Sequence, residues 1–161
     1  MENKSIAKIC VSLIMTLVFF GCNLVQQPDF IPGIYTGTAT WTSQEAYGTR
    51  TYPQTTGRST RTITVNADGS LPDNDGATRT LGALTLTMKR TSGKFSNRTY
   101  TDNGTVSGTY QGYPFTGTYT SITSQPTDTT LQVTNSINIT IPINGVNDSL
   151  IYSDSATLTK Q

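Results

Sequence analysis

The sequence predicts an all-β domain, an eight-stranded antiparallel sheet in up-and-down order closing as a barrel, on three observations. Beyond residue 33 the composition turns to Thr, Ser, Gly, Tyr and Ile, with little Glu, Lys, Leu or Ala. The first set suits a pleated, half-buried surface, and the second holds the good helix formers. Apolar side chains there recur at every second residue, the period of a strand wetted on one face. Turn residues interrupt these runs at short intervals, so successive strands are expected to pair as neighbours.

In chain order, the first strand covers residues 34–42 and sets Tyr35, Gly37, Ala39 and Trp41 against Thr36, Thr38, Thr40 and Thr42. The second covers 60–66, with Ile63 and Val65 alternating with Thr62 and Thr64. Leu84, Leu86 and Met88 mark a third, and residues 94–101 a fourth. Asn103-Gly104 then reads as a type I′ turn, because this pair accepts the positive φ that both central positions require. A fifth strand follows at 105–110, and Gln111-Gly112 turns it into a sixth at 114–123, with Pro114 at a strand start, where a missing N–H is tolerated.

The seventh is the clearest: Leu131, Val133, Ile137, Ile139 and Ile141 alternate with Gln132, Thr134, Ser136, Asn138 and Thr140. Asn135 falls on the apolar row and is read as a hydrogen-bonded interior group. Residues 142–148 form a turn, and 150–158 the eighth strand. Gly37, Gly108 and Gly117 each share a row with an aromatic, which predicts a bend with a ring folded over it. Eight strands close around side chains or a small ligand; an open β-sandwich is the alternative.

Ahead of the domain, Lys4 and Lys8, an apolar stretch at 9–20 and Gly21 have the layout of an export signal. The stretch is short for a membrane-spanning helix, which needs about twenty apolar residues. The four residues at its end and just beyond, Phe19-Phe20-Gly21-Cys22, resemble the lipobox of bacterial lipoproteins, where a small residue precedes the Cys. The resemblance implies that 1–21 is a signal peptide, that Cys22 becomes the first mature residue and carries acyl chains, and that 22–32 is the lipidated Cys and tether of a domain at 33–161. It also implies a cell-envelope location, in the outer membrane of a two-membrane host because Asn rather than Asp follows the Cys. The other Cys, Cys10, lies in the signal, so the mature domain would hold itself together by core burial without a disulfide, as about 140 residues can.

Removal of the signal takes the net charge from +1 to about neutral. The basic residues at 50, 58, 61, 79, 89, 90, 94 and 98 alternate with acids such as Asp68, Asp73, Asp75 and Asp102, which reads as a solvated face and not as a nucleic-acid footprint. The chain has no His, which excludes a Ser-His-Asp triad, a Cys-His pair or a His-bearing zinc site. Glu45 is the one Glu after the signal. Asp73 and Asp75 sit in a turn-like stretch, read as solvated, with Ca²⁺ through Asp68, Asp73, Asn74 and Asp75 as the lesser alternative, since the twelve-residue loop spacing is absent. No Gly-rich loop opens a helix, so no nucleotide cofactor is expected, and the Asn-x-Ser/Thr sequons at Asn97, Asn103, Asn138 and Asn147 follow from a Thr-rich composition.

The eight-strand layout also resembles lipocalin-type barrels, with Gly33-Ile34-Tyr35 standing where that family has Gly-x-Trp and Thr127-Asp128-Thr129 where it has Thr-Asp-Tyr. This resemblance implies a cup for a small apolar ligand, with the loop at 43–57 over its mouth and Tyr35, Trp41, Tyr110, Phe115 and Tyr119 lining it. The functional expectation is a non-catalytic, membrane-tethered binding module. A structural or surface-interaction lipoprotein with a filled barrel is the alternative, and an enzyme using Asp and Tyr is the least favoured class.

Overall fold

The computed structural model describes residues 30–161 except 82 and 83. Cys22, the signal and most of the tether lie outside the described residues. Nine antiparallel strands form one curled sheet, a half-barrel: β1 (Gly33–Tyr47), β2 (Arg50–Thr51), β3 (Thr55–Val65), β4 (Thr78–Leu81), β5 (Leu84–Ser96), β6 (Thr99–Tyr110), β7 (Tyr113–Thr127), β8 (Thr130–Ile143) and β9 (Val146–Lys160). The antiparallel up-and-down architecture is the one the alternation predicts. β2 and β3 lie along one side of β1, β9 along the other, and β8 to β4 follow in sequence order. First and last strands therefore pair, from Tyr35 opposite Lys160 to Tyr47 opposite Asp148. That pairing carries an up-and-down sheet towards a barrel. Among the described residues β3 and β4 share no register, and the seam between them is open.

Several strand boundaries differ from the sequence expectation. Asn103-Gly104 is no turn but lies mid-strand in β6, opposite Thr120 and Tyr119. The reversal comes earlier, at Asn97-Arg98, where both residues have positive φ (50° and 55°). Arg98 accepts that conformation while donating to Asp128 Oδ1 and Gln125 Oε1, both at 2.9 Å, contacts that offset a left-handed cost of about 1–2 kcal/mol. The expected third, fourth and fifth strands are thus two, β5 and β6, while β2 and β4, both absent from the expectation, bring the described strands to nine. Residues 43–57 are not a lid: β1 runs through to Tyr47, turns at Gly48 (φ 57°), and returns as β2 and β3. The turns at Gln111-Gly112 and Asn144-Gly145 have the positive φ that such pairs favour.

The inward rows form two apolar clusters. One contains Leu84, Leu86, Met88, Val106, Phe115, Tyr119, Ile137 and Ile139, and the other Phe30, Tyr35, Ala39, Val65, Leu131, Val133, Ala156 and Leu158. Phe30, expected in the tether, is a core residue: it is buried, meets Phe95 edge to face at 5.4 Å, and its N–H donates to Gly69 C=O at 3.2 Å. The chain therefore enters the sheet at the end where β5 turns into β6 and β7 into β8, and Phe30 plugs that end.

Candidate functional site

Between the two apolar clusters runs a layer of inward polar groups. On β8, Asn135 separates Val133 from Ile137; on β9, Asp154 separates Ala156 from Tyr152; on β3, Arg61 continues the row of Ile63 and Val65. Asp154 Oδ1 accepts from Arg61 Nη1 at 2.7 Å and from Asn135 Nδ2 at 2.6 Å. Asn135 is thus the hydrogen-bonded interior group its row predicts, although its Oδ1 has no partner among the described residues. Arg79, on the inward row of β4 with Leu81, sits near Arg61, Asp154, Tyr152 and Tyr119 and makes no salt bridge among the described residues. Desolvation and then the Arg61 charge hold its pKa below the usual guanidinium value, against the opposing pull of Asp154.

Beyond this layer, away from Phe30, the sheet opens into a slot of about 470 Å³. Trp41, Leu81, Leu84, Tyr110, Ile141 and Leu150 supply its apolar wall, and Glu45 and Asp148 also line it. Trp41 stacks on Tyr152 with centroids 6.4 Å apart and lies over Gly57, where a Cβ would strike the indole. A second space of about 290 Å³ at the β3–β4 seam shares Ser59, Thr80, Leu81 and Tyr152 with the slot and reaches Arg61, Arg79 and Asp154. Apolar wall and charged floor are therefore contiguous.

Of the five aromatics expected to line a cup, the slot brings together Trp41 and Tyr110. Phe115 fills the core beneath it, folded over Gly108 as the glycine row predicts, whereas at Gly37 and Gly117 the nearest atoms belong to the neighbouring strands β9 and β8 and not to a ring. Tyr119 is buried, with its ring over Gly104 and its hydroxyl donating to Asp102 Oδ1 at 3.2 Å. Tyr35 belongs to the plugged end: it is fully buried, its hydroxyl donates to Ile31 C=O at 2.8 Å, and it receives Gln125 Nε2 at 2.6 Å. Burial, the leading cause, raises the Tyr35 pKa.

The Asp73–Asp75 stretch is not simply a solvated turn. Asp73 pairs with Arg90, Asp75 Oδ1 accepts the Arg90 N–H at 2.9 Å beside the β5 bulge, and Asn74 Nδ2 donates to Asp102 Oδ2 at 3.1 Å. These bonds fasten the 66–77 connection onto β5 and β6. Asp68 instead turns back on Ser70, and among the described residues no group of acids converges as a metal site. The basic residues do not share one solvated face: Arg61, Arg79 and Arg90 occupy inward rows. Their parity with Ile63, Leu81 and Met88 carries that signal.

Desolvation first, and then the Asp102 charge and hydrogen bond, push the Tyr119 pKa up from 10.0 to about 12. Between those values the unfolded chain binds fewer protons than the folded one, so this contribution to stability is complete below pH 10 and is lost as pH rises towards 12. Tyr119→Phe should flatten that alkaline decline. Urea midpoints measured across the window will show it, and an unchanged slope would place the titration elsewhere.

The chain matches no family model, no curated protein and no solved structure.

Proposed function

We propose that this protein is a lipid-anchored cell-envelope protein whose half-barrel binds a small apolar ligand in the slot beside Trp41. The slot itself carries the reading: a concavity of about 470 Å³ falls in the size range of small-molecule sites, and apolar side chains led by Trp41, Leu84 and Leu150 make up half of its lining, the rest being Ser, Thr, Glu45 and Asp148. The lipobox-like Phe19-Phe20-Gly21-Cys22 supports the anchor. Since Phe30 enters at the plugged end, a chain tethered through Cys22 would present the slot away from the bilayer. The alternative, a filled barrel that acts through its outer surface, is favoured by the packing of Phe115, Leu86 and Ile137 through much of the interior.

Trp41 is the one Trp of the chain and lines the slot, so its emission tests the reading directly. A neutral brominated apolar probe should quench it saturably; quenching that only rises linearly with probe concentration would favour the filled barrel. The anchor has its own test. Each buried methylene contributes about 0.8 kcal/mol, so several acyl chains hold a folded domain firmly on a membrane. Cys22→Ser should abolish acylation and mislocalise the protein. If the acyl mass and the membrane fraction both persist, Cys22 is not the anchor.

A further inference from the structure

Two arginines, Arg61 and Arg79, approach the floor of the slot, and a single carboxylate, Asp154, lies with them. Asp154 engages Arg61 and not Arg79 as an ion pair: its Oδ1 takes both Arg61 and Asn135. Arg79 is left half-buried without an ionic partner among the described residues, one step deeper than Leu81 and Tyr152, where the slot and the seam space merge. A guanidinium in such a setting favours an anion, because charge-assisted bonds strengthen as water is excluded. At the opposite end Glu45 and Asp148 disfavour an anionic group. The charge pattern thus sets an orientation as well as a class: negative group inward, apolar body outward.

We propose that the slot takes an amphiphile with one anionic head, a long-chain monocarboxylate, seated with its carboxylate on Arg79 and its tail along Leu84, Leu150 and Trp41 towards the mouth. This rests on the binding reading above and adds the head-group chemistry to it. Arg61, held by Asp154, contributes long-range charge; Arg79 supplies the direct contact.

The test uses the full chain in lipid nanodiscs at mildly alkaline pH, with dibromostearate and its methyl ester as Trp41 quenchers at matched free concentrations. The acid should bind about tenfold or more tightly than the ester, the difference expected of one charge-assisted contact. In Arg79→Met the acid should fall to the affinity of the ester, while the ester changes little; Arg79→Lys should retain part of the preference. If wild type binds acid and ester equally, the head-group assignment is wrong and the apolar slot stands. If neither quenches saturably, the binding reading itself fails. Equal loss of both ligands in a folded Arg79→Met would overturn a direct role for Arg79, and should that variant not fold, the wild-type comparison decides alone.

Discussion

Asp154→Ala is expected to lower the stability of the domain by about 3–5 kcal/mol, the cost of breaking a buried pair by removing one partner. Asp154 is 7% exposed and accepts from Arg61 and Asn135 through one oxygen. Without it, Arg61 and Arg79 face each other across the seam with no carboxylate beside them, and the Asn135 amide loses its acceptor. The loss should appear as a shift of the urea midpoint at constant m-value. Replacing the pair together, as Asp154→Leu with Arg61→Met, should recover part of it, because an apolar pair of similar volume avoids the desolvation that the ions incur, while Asn135 still lacks its acceptor. A double variant as unstable as the single one would mean that Asp154 acts through something other than the arginines.

Gly104→Val is the second large effect, expected at about 3 kcal/mol or more. A Cβ at this position would meet the Lys89 carbonyl oxygen and the Tyr119 ring, and neither can retreat easily. The carbonyl belongs to the β5–β6 ladder, and the ring is buried and tied to Asp102. Gly112→Ala provides the contrast: nothing lies within 4 Å of that Cβ, and only its φ of 85° opposes substitution, so about 1 kcal/mol is expected. Thermal unfolding of the two variants will rank them. A milder effect at Gly104 than at Gly112 would return the tight turn to Asn103-Gly104 and dismantle β6.

That pair shows where local sequence preference loses to tertiary structure. Asn-Gly suits a type I′ turn, yet here Asn103 Oδ1 accepts from Thr120 at 2.8 Å and Gly104 makes room for Tyr119. The actual turn, Asn97-Arg98, is secured by Gln125 and Asp128, about thirty residues away, which no local pattern reveals. The alternating rows, by contrast, were legible throughout. They place Leu131 to Ile141, Tyr35, Trp41 and Phe115 on the inward face, and they place Asn135 there as a bonded polar group. They also carry Arg61, Arg79, Asp102 and Asp154 inward. In composition these charges resemble a solvated face, and only their parity with the apolar rows marks the polar layer. The open β3–β4 seam and the depth of the slot depend on how far the sheet curls, a property of the assembled ladder that the order of residues does not display.

The end of the half-barrel beside Trp41 is either a binding site, as proposed, or a packing defect. Native mass spectrometry of the full chain, purified from its own host, decides between them most directly, because occupancy appears as added mass without prior choice of a probe. A binding site should yield a population carrying one additional small molecule that is lost on denaturation, retained in Tyr119→Phe and depleted when a bulky residue fills the slot, as in Ser59→Trp. A spectrum showing only the bare acylated chain, unchanged by Ser59→Trp, would contradict it.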